Sequence, residues 1–127
     1  MLIINSLSVS KLCTNGIEAV KFGDQDIEKM RKEYMWRRNF LVNSLNKIDL
    51  PCICPNGAFY VFPSIKKFQM KSVDFCERLL KKNKLAVIPG IAFGNEGEYH
   101  IRISYAYSID SLTEGIKRLN EFIKVQL

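Results

Sequence analysis

PNGAFYVFP, residues 55–63, is a turn followed by an apolar and aromatic run that a proline closes. Asn56-Gly57 is a turn dipeptide, and Pro63 lacks the N–H that a continuing strand ladder needs. Between them, residues 57–62 carry the aromatic and β-branched side chains that suit a pleated, half-buried surface. Such a run serves as a buried strand, as an aromatic platform for nucleic acid, or as one wall of a small-molecule site. Its surroundings decide among these.

Downstream, Ser72 can cap a helix with Val73, Phe75, Cys76, Leu79 and Leu80 on one face. Lys81, Lys82 and Lys84 stand near its C-terminus, where positive charge suits the helix dipole. Residues 85–88 read as a short strand ended by Pro89-Gly90, and the glycine-bearing loop GIAFGNEGE follows. Residues 99–106 alternate, with Ile101, Ile103 and Tyr105 on one face and His100, Arg102 and Ser104 on the other. Ser108 or Ser111 caps a last helix, with Ser111-x-x-Glu114 as a capping box and Leu112, Ile116, Leu119, Phe122 and Ile123 as its inner stripe.

Upstream, residues 14–20 read as a short helix stopped near Phe22-Gly23, with Gly23 expected at positive φ. Asp24 or Asp26 caps an amphipathic helix over residues 25–47, whose apolar positions are Ile27, Met30, Tyr34, Leu41, Leu45 and, just beyond it, Ile48. Pro51 closes that region. The order α-α-β-α-β-β-α predicts an α/β fold of the α+β, two-layer kind: a three-stranded mixed sheet covered by helices. The first two strands, joined by a helix, are expected to run parallel through a right-handed crossover, and the third antiparallel to them.

The 127 residues suit one domain with a sizeable core, and 47% hydrophobic with 25% charged residues is an ordinary globular profile. The net charge of +6 comes from 19 Lys and Arg against 13 Asp and Glu, and the basic residues are scattered on expected outer helix faces. No apolar run approaches the ~20 residues of a membrane helix, and MLIINSLSVSKL is a poor signal peptide, so a cytoplasmic protein is expected. Cys52-x-Cys54 is not a zinc-knuckle spacing, and His100 is far from both, so Cys13, Cys52, Cys54 and Cys76 are expected as reduced thiols rather than metal ligands.

The nucleic-acid reading fails on position. An RNA-recognition strand needs a basic residue, Gly and an aromatic on its third strand; here Asn56 precedes Gly57, Ala58 follows, and the run lies on the first strand. Arg102 is the chemically pointed residue. Set between Ile101 and Ile103, it is a solvent-face residue, the partner of a carboxylate of this domain, or a fork for a ligand carboxylate, since guanidinium donors match two carboxylate oxygens.

P-x-GAFYVFP, then VIPG-x-x-FG, then E-x-x-IRISYA and a closing helix, preceded by IEAV at 17–20, Y-x-x-RR-x-x-L at 34–41 and LN at 45–46, resembles the C-terminal part of class I/II aminotransferases of PLP fold type I. The resemblance covers nearly the whole chain. It implies that Arg102 grips the α-carboxylate of an amino acid or 2-oxo acid and that Phe59 lies near the substrate. It also implies a pyridoxal 5'-phosphate cofactor and a homodimer when whole, with no nucleic acid or membrane partner. Residues 1–23 would then be an inter-domain crossing segment and 24–127 the small domain. The Schiff-base lysine of such enzymes lies upstream of these motifs. Lys11 of SVSK is not it, because LCTNGIEAV, a helix, follows directly. No catalytic or cofactor-binding residue is therefore expected here. Leu2, Ile3 and Ile4 at the very start lead to the expectation of a C-terminal fragment, inactive alone, with Met1 an introduced or fortuitous start. The same scaffold also serves C–S lyases and aminotransferase-like effector domains of transcription regulators. A free-standing binding module, the third class, would show a closed polar surface.

Overall fold

The computed structural model describes the backbone of residues 9–126 and the side chains of 14–125, so the expectation drawn from Leu2, Ile3 and Ile4 lies outside the described residues. The chain forms two compact units, Met1–Glu33 and Tyr34–Leu127.

The first unit holds helix α1 (Val9–Phe22) and the beginning of helix α2 (Asp24–Lys47). α1 extends past both ends of the expected 14–20, and Lys11 lies within it. Gly23 is not at positive φ, contrary to expectation. It is needed for space: a Cβ there would collide with the Ala19 carbonyl, which accepts the Gly23 N–H at 2.8 Å. The Gly23 carbonyl in turn accepts from Ile27 N, so the two helices meet at a single residue. Glu28 pairs with Arg31 and Lys32 on the surface. The apolar Ile17, Val20, Phe22, Ile27 and Met30 are all exposed.

The second unit has the core. Leu41, Val42 and Leu45 bring the C-terminal part of α2 into it; Phe75, Cys76 and Leu79 do so for α3 (Ser72–Asn83), and Leu112, Leu119, Phe122 and Ile123 for α4 (Ile109–Gln126). Phe75 and Phe122 meet edge to face at 5.1 Å, which joins α3 to α4. Val73 and Leu80, expected on the inner face of α3, are exposed instead. Ser72 is buried, yet it does not cap α3: Lys71 holds the cap position without a side-chain bond, while Ser72 Oγ accepts from Ile91 N. At the last helix the cap is Ser108, whose Oγ accepts from Ser111 N at 3.2 Å. Glu114 closes no capping box; it pairs with Arg118 one turn on.

The sheet consists of β1 (Tyr60–Val61), β2 (Ile88–Pro89) and β3 (Ile101–Ser104) in the order β1-β3-β2. Both pairings are antiparallel, Tyr60 opposite Ser104 and Ile88 opposite Arg102. β1 and β2 therefore run in the same direction, as expected, but β3 lies between them. Among the described residues no parallel ladder forms, and the sheet is antiparallel rather than mixed. The strands are shorter than the sequence suggests. Ala58 sits at φ 65°, which breaks the extended run before Tyr60. Tyr105 holds that turn: its hydroxyl donates to Ala58 O at 2.7 Å and its N–H to Phe59 O at 2.8 Å. Lys84 leaves α3 in a left-handed conformation, and the chain joins the sheet only from Ile88.

Candidate substrate-carboxylate site

The alternation of β3 divides the sheet. Ile101 and Tyr105 are buried, with Val61 of β1 beside them. On the opposite face the register of Tyr60 with Ser104 and Ser64 with His100 sets Phe62 across from Arg102, and β2 sets Ile88 on its other side. Arg102 is half-buried there.

Its guanidinium carbon lies 4.5 Å from the centre of the Phe93 ring and 5.2 Å from that of Tyr60. Phe62 meets Tyr60 at 5.9 Å and Phe93 at 5.5 Å, edge to face in both cases. Arg102, Tyr60, Phe62 and Phe93 thus close a ring of four. Phe59 stands outside it: among the described residues its half-exposed ring meets one other ring, that of Tyr60, at 5.5 Å. Among the described residues no carboxylate pairs with Arg102, and no hydrogen bond uses its donors. A half-buried guanidinium with five unspent donors has the hydrogen-bonding capacity to accept an anion.

The loop that brings in Phe93 is fixed at three points. Gly90 and Gly97 pass so closely that a Cβ on either would strike the other's carbonyl oxygen. Gly94, at φ 115°, turns the chain directly after Phe93. Glu98 Oε1 accepts from Ser72 N at 2.7 Å and from Tyr99 N at 3.1 Å, a carboxylate at the N-terminus of α3. Those bonds, the Ser72 N–H first, hold the Glu98 carboxyl below the usual carboxylate range.

Arg102 also forms part of the rim of an open, mostly apolar groove of about 450 Å3, lined by Leu85, Ile88, Ile103, Gly115 and Ile116 among others. Cys52, Cys54 and Cys76 are free; burial, with Cys54 nearby, pushes Cys52 up to about 11, and burial does the same for Cys76, so both are protonated at neutral pH.

The quartet offers one cation and three rings. It includes no amine for a Schiff base, no carboxylate for a pyridine nitrogen and no phosphate cradle, so it does not fit pyridoxal phosphate. It fits a carboxylate. Of the two residues singled out in the sequence, Arg102 lies at its centre and Phe59 one ring away. Tyr60 and Phe93 were missed. The register signal for Tyr60 was available, because it is two residues from Phe62 on the same strand face. Phe93 arrives from a loop, where alternation gives no guidance.

A three-stranded antiparallel sheet packed on helices, with an arginine among aromatic rings on its central strand, is the frame in which the comparisons stand. The chain belongs to the aminotransferase class I and II family, whose profile matches residues 1–119. It is 51% identical over 107 residues to a putative aminotransferase, YugH, of Bacillus subtilis, covering 84% of this chain and 28% of that protein. Identity to aromatic-amino-acid aminotransferase 2 of Thermococcus litoralis is 44% over 100 residues, covering 79% of this chain and 26% of the relative. The fold matches the crystal structure of an aromatic aminotransferase from Pyrococcus horikoshii with a TM-score of 0.78 at 42% identity, over 80% of this chain and 27% of that one. Aspartate aminotransferase from Thermotoga maritima matches with a TM-score of 0.70 at 37% identity, over 76% and 24%. The chain thus spans 28% or less of the length of these relatives. Among the described residues no helix is long and apolar enough to cross a membrane.

Proposed function

We propose that the chain is the carboxylate-gripping small domain of a pyridoxal-phosphate-dependent aminotransferase, which moves an amino group between an amino acid and a 2-oxo acid. In this reading residues 24–127 form the small domain and residues 1–23 cross to a large domain that holds the cofactor; the whole enzyme is a homodimer. The observation that carries it is Arg102, held by rings with its donors unspent. Family membership supports the reaction class. The named relatives include aromatic-amino-acid and aspartate enzymes, whose substrates share an α-carboxylate and differ in side chain. Arg102 is assigned to the shared part.

Arg102 works by orientation. A bidentate pair fixes both the position and the plane of the carboxylate, and so the direction of the bonds at the adjacent carbon. Phe59, exposed beside Tyr60, lies at the outer edge of the site, where a substrate side chain could meet it.

The test is turnover by the whole enzyme. Arg102→Gln should lower kcat/KM for an amino acid by roughly 30-fold or more, since removing one side of a hydrogen-bonded charge pair costs about 2 kcal/mol upward. Unchanged kcat/KM would refute the assignment. The isolated 127-residue chain should transaminate nothing and keep no cofactor absorbance after dialysis.

A further inference from the structure

The geometry points to Phe93, with Tyr60, as the positioning element of Arg102: the rings hold the guanidinium in its binding pose before a carboxylate arrives. This rests on the assignment of Arg102 made above. Arginine carries much rotamer freedom, and a free arginine would have to lose it when the ligand binds. An ion pair to Asp or Glu would order it, but would spend the donors and neutralise the charge. Rings act differently. They attract the cation through their π faces and accept none of its N–H groups in the ordinary way. The donors remain available, as observed.

Phe93 is otherwise hard to account for. Its side chain is 50% exposed and belongs to no part of the buried core. Yet the loop carrying it is pinned by the Gly90–Gly97 approach, by Gly94 and by Glu98 on α3. A loop so constrained around a half-exposed ring fixes that ring for a purpose, and its charged contact is Arg102 at 4.5 Å. Phe62 braces Phe93 and Tyr60 from behind.

The test uses the whole enzyme and two unreactive probes of equal shape, butyrate and its neutral amide butyramide, as competitive inhibitors. The ratio of their inhibition constants reads the grip on the carboxylate, its charge and its second acceptor oxygen together. Phe93→Leu should reduce the preference for butyrate about 3- to 30-fold, the range of a cation–π contact between exposed and desolvated limits. Phe93→Tyr should restore most of it, and Tyr60→Leu should act in the same direction. Arg102→Lys should lower it further. If Arg102→Lys lowers the preference and Phe93→Leu and Tyr60→Leu leave it within twofold of wild type, the positioning role is wrong and the Arg102 assignment stands. If Phe93→Leu weakens both probes equally, the ring has a merely structural role and the inference is wrong. If Arg102→Gln, which removes the charge, leaves the preference intact, the assignment of Arg102 fails, and the inference with it.

Discussion

The two faces of the sheet are made from neighbouring residues of one short strand and do opposite things. Ile101 and Tyr105 are at most 1% exposed and belong to the core. Arg102, between them in the chain, is held in an aromatic ring of contacts and keeps its donors for something else. Alternation along a strand thus lets four residues, Ile101–Ser104, feed the core on one face and hold the proposed carboxylate site on the other. The core face works through packing, where any lost volume is felt; the other face works through direction and charge, where stability hardly registers a change.

That contrast can be broken by measurement. The largest stability effect should come from the core face: Ile101→Ala should cost about 2–5 kcal/mol, read from chemical denaturation. Arg102→Lys, one residue on, should cost under about 1 kcal/mol by the same measurement while it damages substrate binding. A comparable loss of stability from both would erase the division. Ser108→Ala removes the cap of α4 and should cost about 1 kcal/mol.

A smaller, pH-dependent effect belongs to the loop behind Phe93. The Glu98 carboxyl is held below its ordinary value of 4.5 in the folded chain. Its contribution is therefore complete above that value and is lost as pH falls through the folded value. Glu28 and Glu114 shift in the same direction through Arg31 and Arg118. The denaturation midpoint should fall on acidification below about pH 4.5, and Glu98→Gln should remove part of that fall. An unaltered acid profile in the variant would mean that Glu98 does not pin the loop. Smallest of all, Val20→Ser should change stability by no more than about 0.5 kcal/mol, because that side chain is 83% exposed.

How much of this was legible in the sequence depends on the kind of signal. The helical stripe of α4 was complete, because its inner residues are buried or half-buried together. The stripe of α2 predicted a helix correctly but burial only in part: Leu41 is 1% and Leu45 0% exposed, while Ile27 is 58% and Met30 52% exposed. Periodicity reports which face is apolar, not what covers it. The orientations of the strands followed from the element order, but their sequence in the sheet did not. Nothing in local propensity sets β3 between the other two, and this placement is what makes every pairing antiparallel. Gly23 and Ser72 were read for their commonest uses, positive φ and capping. The structure uses one for close approach and the other for a bond to Ile91. Arg102 was visible because an arginine between two isoleucines of a strand demands a partner. Phe93 was not, because the loop folds it back through backbone contacts of Gly90 and Gly97 that no side-chain pattern announces.

The most direct measurement is a calorimetric titration of the whole enzyme with butyrate and with butyramide, before and after Arg102→Gln. A carboxylate fork at Arg102 requires that the wild type bind butyrate at least tenfold more tightly than the amide and that the variant lose this preference. Equal binding of the two by the wild type, or an undiminished preference in Arg102→Gln, would contradict it.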